Sequence, residues 1–166
     1  MAQAIILMGV SGSGKTTVGQ LLAASLGWPF YDADDFHPPA NIERMRQGIA
    51  LTDEDRKTWL AALARLITDA LADDQSLVLA SSALKEAYRM QLKPAGARTA
   101  EVSFVFLRIP PAVAVARLKN RPGHYMPASL VPSQFAALEE PVDALAIDAG
   151  QSPTEIVAQI RQALAL

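Results

Sequence analysis

The octapeptide Gly9-Val10-Ser11-Gly12-Ser13-Gly14-Lys15-Thr16 fills the pattern G-x-x-x-x-G-K-[ST] at every fixed position. It stands between a short apolar run, 4–8, and a segment of helical spacing, 16–26, the context in which this pattern builds a phosphate cradle. Glycines let successive main-chain N–H groups turn inward on a polyphosphate with no Cβ in the way, and the helix that follows adds the partial positive charge of its N-terminus. Lys15 has the reach to meet the β and γ phosphates, and the Thr16 hydroxyl can ligate Mg²⁺. Gly9, Ser11, Gly12, Ser13, Gly14, Lys15, Thr16 and Thr17 are therefore the expected nucleotide-binding residues. In a chain of this length a chance match is on the order of one per cent, before the strand and helix are required. A nucleoside triphosphate site follows.

The rest of the chain repeats the alternation that the loop begins. Continuous apolar runs recur at 77–80 and 102–107, with weaker ones at 30–31 and 144–147, and each reads as a strand buried in a parallel sheet. Helical spacing marks 16–26, 53–71, 84–92, 112–119 and 154–164. The prediction is an α/β fold, a doubly wound five-stranded parallel sheet with right-handed crossovers. A length of 166 residues suits one domain, 1–166, and 51% hydrophobic residues suffice for its core. The crossover from Asp32 to Ser76 is long, so a substrate-binding insertion is expected at about 36–72. Within it Thr52 can cap a helix whose Trp59, Leu60, Leu63, Leu66, Ile67 and Leu71 form one core-facing stripe. Pro and Gly interrupt the stretch 120–127, which reads as a mobile loop or lid at about 120–130.

Composition removes several classes of function. Fifteen Lys and Arg against seventeen Asp and Glu leave a net charge of −2, so neither nucleic acid nor an anionic membrane is an expected partner. With no Cys, thiolate catalysis and Cys-ligated metal centres are excluded, and two His make a histidine-rich metal site improbable. No run of about 20 apolar residues exists, and Met1-Ala2-Gln3 lacks the basic start of a signal peptide. A cytoplasmic protein is the expectation.

The same loop serves kinases, motors and switches, and the sequence around it discriminates among them. No N-K-x-D guanine reader is present, and the buried run 77–80 ends in Ser81-Ser82 rather than in the carboxylate a motor ATPase usually places there. Carboxylates occur instead after the second predicted strand, in Tyr31-Asp32-Ala33-Asp34-Asp35. Two aspartates spaced D-x-D on an extended segment point the same way. Asp32 can hold Mg²⁺ through water, while Asp34 can accept the proton of an attacking hydroxyl. Acidic loop residues are also often simply solvated.

Four blocks in order, MGVSGSGKTT (8–17), DADDFHPPANIERMRQGIALTDEDRKTWL (32–60), SSALKEAYR (81–89) and RLKNRPGHYMPASLVPSQFAALEEP (117–141), resemble the bacterial-type gluconokinases of the small P-loop class. The resemblance covers nearly the whole chain and implies a P-loop kinase of the nucleoside-monophosphate-kinase type with a lid. It further implies ATP-dependent phosphorylation of D-gluconate at the 6-hydroxyl, giving 6-phospho-D-gluconate and ADP, with Mg²⁺ as cofactor and a homodimer as assembly. The alternatives are a kinase for another small polar metabolite such as shikimate, and a non-enzymatic nucleotide-binding sensor.

A sugar acid needs cations for its carboxylate and polar partners for its hydroxyls. Arg56, Lys85, Arg89 and His124 are the candidate cations, with Asp34, His37 and Gln134 as hydroxyl partners. Arg56 could equally be a surface cation near a helix start, and a solvated pair would also explain the i, i+4 spacing of Lys85 and Arg89. A structural role fits His37 and His124 as well as contact does, and only the resemblance favours contact. Arg117 and Arg121 end the helix before the irregular stretch, where the helix dipole alone favours cations. In related kinases lid arginines stabilise charge on the transferring phosphoryl group, so Arg121 is assigned there and Arg117 nearer the nucleotide. Lys15, Asp34 and Arg121 form the expected catalytic set, and Thr16 and Asp32 the expected metal set.

Overall fold

In the computed structural model, which describes residues 1–98, 100–121 and 127–166, β1 (Ala4–Met8) is buried along its whole length. Its alternate side chains serve two cores: Ile5 and Leu7 enter one face, Ile6 and Met8 the other. A strand that is apolar at every position belongs at the centre of a sheet covered on both faces. Accordingly β1 pairs in parallel with β3 (Leu77–Ala80) and with β4 (Val102–Arg108). The edges are β2 (Phe30–Asp32) and β5 (Leu145–Asp148), giving the order β2-β3-β1-β4-β5, all parallel. The five-stranded parallel sheet and its alternation with helices are those of the expected doubly wound fold.

On one face α1 (Lys15–Leu26), α5 (Pro111–Lys119) and α7 (Pro153–Leu164) bury Val18, Leu22, Ala114, Leu118, Ile156 and Ile160. On the other, α3 (Asp53–Ala72) and α4 (Glu86–Leu92) bury Trp59, Leu60, Leu63, Ile67, Tyr88 and Leu92. Thr52 caps α3 as its sequence predicts: its Oγ1 accepts from the Asp55 amide at 3.2 Å, and the Asp55 carboxylate accepts from the Thr52 amide at 2.9 Å. Leu66 and Leu71 reach only the margin of the stripe and are partly buried.

Three local departures bear on the site. The spacing predicts no helix at 39–46 or 131–137, yet α2 (Pro39–Arg46) and α6 (Val131–Ala137) form there, each with a proline in its first turn, where the missing N–H costs nothing. The helix expected over 84–92 begins at Glu86, because Ala83 adopts φ 42° and Lys85 is an extended N-cap. Finally Met45, Leu51 and Leu130 form a small third cluster, which joins the end of α2 and the loop before α3 to the 3₁₀ turn Ala128–Leu130.

Because every strand is parallel, the C-terminal ends of β1, β2 and β3 open on one edge of the sheet. That edge gathers the glycine loop, Asp32 and the Ser81-Ser82 pair, as open α/β sheets do at their ligand sites.

Candidate active site

The loop after β1 has the backbone its glycines permit. Gly9 and Gly12 adopt φ 144° and 86°; a Cβ on Gly9 would stand 2.7 Å from the Leu107 carbonyl oxygen, and one on Gly12 2.9 Å from that of Ala114. Neither contact is tolerable, so the tight turn depends on glycine there. Lys15 opens α1, and its Nζ donates to the carbonyls of Gly9 at 3.0 Å and Val10 at 2.9 Å. Burial pushes its ammonium down to about 8, against the raising effect of the Asp34 and Asp32 carboxylates, while Arg121 lowers it slightly further.

The Thr16 hydroxyl donates to Asp32 Oδ2 at 2.8 Å. A hydroxyl and a carboxylate meeting beside the phosphate loop suit Mg²⁺, which takes oxygen ligands and keeps much of its own water. The second carboxylate arrives differently from the sequence expectation. β2 ends at Asp32, and 33–36 form a 3₁₀ turn in which Asp32 Oδ1 accepts from the Asp34 amide at 3.0 Å. Asp32 and Asp34 therefore do not share one side of an extended strand. The competition of the Asp32 side chain for the backbone two residues on favours a turn over continued strand. Both aspartates nevertheless line the same cleft with Lys15, Thr16 and Arg121.

A second helix fixes that turn. Trp59 Nε1, on α3, donates to the Ala33 carbonyl at 2.7 Å, and the His37 ring stacks on the indole with centroids 4.2 Å apart and planes 11° from parallel. Burial, aided by the nearby Arg56 cation, pushes His37 down to about 4, so the imidazole is neutral at pH 7. His37 lies in the cleft as a neutral hydrogen-bonding ring, and its Nδ1 is 3.4 Å from Asn41 Nδ2.

The remaining expected residues separate into groups. Arg56 lines the cleft; its Nη1 donates to the Leu51 carbonyl at 2.7 Å and to the Tyr88 hydroxyl at 3.3 Å. Gln134, on α6, also lines it, and its Oε1 accepts from the Ser11 amide at 2.7 Å, so it braces the phosphate loop from outside. Lys85 pairs with Asp53 at 3.0 Å in an adjoining groove. Arg89 does not reach the cleft. Its guanidinium is buried and donates to the carbonyls of Ala83, Leu84 and Glu139, which ties the turn before α4 to the 138–144 segment. The shared face expected for Lys85 and Arg89 is absent because α4 starts only after Lys85. His124 lies outside the described residues, as do the other residues of 122–126 in the expected lid.

A groove on the other side of the phosphate loop is lined by Gly14, Thr17, Arg117, Arg121, Gln151 and Pro153. Arg117 spans it, donating to the carbonyls of Gly12 at 3.1 Å and Ala149 at 2.8 Å. Arg121 borders both this groove and the cleft that holds Asp34. Sequence reasoning gave Trp59 only a core role and passed over Tyr88 and Ser81, all of which line the cleft. For Tyr88 the available signal is its position one turn from Lys85 in the SSALKEAYR block.

Comparison with known proteins bears on this arrangement. A family model described as an AAA domain matches residues 5–144. The chain is 45% identical over 139 residues to a gluconokinase of Gluconobacter oxydans, covering 84% of this chain and 76% of that one. It is 40% identical over 166 residues to the thermosensitive gluconokinase of Escherichia coli, covering 98% and 87%. Its fold superposes on the crystal structure of a gluconokinase from Sinorhizobium meliloti with a TM-score of 0.84 and 42% identity, over 98% of this chain and 91% of that one.

Proposed function

This chain belongs to the gluconokinase family of P-loop kinases, and from that premise we propose how its residues move the terminal phosphoryl group of ATP to the 6-hydroxyl of D-gluconate, giving 6-phospho-D-gluconate and ADP. The observation that carries the reading is the convergence of Asp34, Lys15 and Arg121 on one cleft, with Arg121 also bordering the groove beside the phosphate loop. A phosphoryl donor in that groove and an acceptor in the cleft would meet at the glycine loop.

ATP lies with its phosphates against the amides of 9–17 and its base toward Arg117 and the 148–153 loop. Bound between Thr16 and Asp32, Mg²⁺ would neutralise charge on the β and γ phosphates. Lys15 leaves the loop carbonyls for the phosphate oxygens. Asp34 orients the acceptor hydroxyl and takes its proton as the bond to phosphorus forms. Arg121 opposes the charge on the transferring group's equatorial oxygens. Gluconate lies across His37 and Arg56, the former as a neutral partner for its hydroxyls.

The test combines an acceptor panel with one variant. ADP release is measured with gluconate, other sugar acids, shikimate and nucleoside monophosphates, and gluconate should be the preferred acceptor. Asp34→Asn should lower kcat about 10²- to 10⁴-fold while leaving ATP affinity intact, as loss of a positioned base does. Full turnover by that variant, or preference for another acceptor, would refute the reading.

A further inference from the structure

Tyr88 joins the acceptor cleft to an ion pair outside it. The residue is 5% exposed, it lines the cleft, and its hydroxyl meets the Asp53 carboxylate. Asp53 opens α3 and also accepts from Lys85 Nζ at 3.0 Å. The phenol has one proton to give, and it goes to Asp53; a lone pair of the same oxygen accepts from Arg56 Nη1 at 3.3 Å. Burial first, and then Asp53, holds the phenol above its ordinary value, so that proton stays in place. The second Nη1 proton of Arg56 goes to the Leu51 carbonyl at 2.7 Å.

Two fixed acceptors on one nitrogen set the plane of the guanidinium. The Nη2 and Nε groups then remain as an edge with no recorded partner among the described residues. An edge of two parallel N–H donors matches a carboxylate, and its strength depends on being aimed. The Tyr88 ring adds a surface beneath the cation, with Arg56 Cζ 5.5 Å from its centroid.

We propose that Tyr88 is the positioning residue of the acceptor site: it relays Asp53 to Arg56 and so holds the guanidinium where it receives the carboxylate end of the sugar acid. The proposal rests on the gluconokinase reading. Reaction occurs at the opposite end of the acceptor, beside Asp34, so loss of the relay should weaken acceptor binding more than the chemical step.

Tyr88→Phe removes the hydroxyl and keeps the ring, and Arg56→Ala removes the group it is said to aim. Steady-state kinetics are measured for the wild type, both single variants and the double variant, with thermal melting to confirm that each folds. Tyr88→Phe should raise KM for gluconate roughly tenfold, the scale of one charge-assisted hydrogen bond, with kcat and KM for ATP within about twofold. In the Arg56→Ala background the same change should cost nothing further, because Tyr88 then has nothing to aim. Equal losses in both backgrounds, or a wild-type KM in the single variant, would overturn the proposal while leaving the gluconokinase reading intact. Absence of gluconate turnover in the wild type would overturn both.

Discussion

Lys15 shows how one residue carries two requirements that oppose each other. The phosphate loop needs a cation that reaches into a desolvated turn, and that desolvation pushes the ammonium from 10.5 down to about 8. A bound polyphosphate favours the protonated form, so its arrival must raise the value again. Between about 8 and 10.5 the ligand-free protein holds the proton only partly, and nucleotide binding should therefore take a proton up. Calorimetry at pH 8.5 in buffers of different ionisation heat should find uptake approaching one proton per ATP, falling toward zero at pH 7, and ATP affinity should weaken as pH rises through this window. Uptake that is the same at both values would place the cation elsewhere. His37 is shifted in the same direction with a different consequence, since a ring held neutral cannot be the cation that meets a carboxylate. In the proposed function that task belongs to Arg56.

At the scale of elements, the site is a set of helix starts brought to one edge of a sheet. How closely α1 approaches β2 is fixed by Gly19, where a Cβ would lie 2.5 Å from Phe30 Cε2 and 3.2 Å from Leu7 Cδ1. Leu7 belongs to the central strand and cannot retreat, so the added methyl would displace the Phe30 ring or lift the helix. Gly19→Ala should therefore destabilise the fold by about 1 to 3 kcal/mol despite the higher helix propensity of alanine, the usual cost of overpacking. Chemical denaturation reads this directly; a neutral or stabilising result would mean that α1 packs less tightly than described. The same displacement moves Asp32, two residues beyond Phe30, so ATP affinity should drop with stability. Elements also explain what the sequence hid. α2 and α6 are short and carry a proline in their first turn, which spacing reads as an interruption, whereas a proline there loses nothing.

Over the whole molecule, the His37–Trp59 stack links the cleft to the core beneath α3. Unfolded, the histidine protonates near 6.5; folded, it resists down to about 4, so between these values the unfolded chain binds more protons. Stability should fall as pH drops through that window. The melting temperature of His37→Phe, which keeps a ring on the indole, should fall less between pH 6.5 and 4.5 than that of the wild type, and parallel curves for the two would contradict this. Sequence alone determined the parallel sheet, the phosphate loop and its lysine, because each depends on local chemistry: apolar runs, glycine, and the reach of a side chain to a main-chain turn. It also brought forward Asp34, Arg56 and Arg121, which line the cleft, but equally Arg89, which caps carbonyls away from it. Nothing in the spacing of SSALKEAYR distinguishes a cation in the cleft from one beneath the turn, since that depends on where α4 begins. Tertiary structure alone decided that Trp59 holds the turn carrying Asp34 and that Tyr88 reaches both Asp53 and Arg56. The reason is that these are contacts between elements far apart in the chain, set by how the helices pack on the sheet, and a linear pattern records each helix's apolar face but not the neighbour it meets.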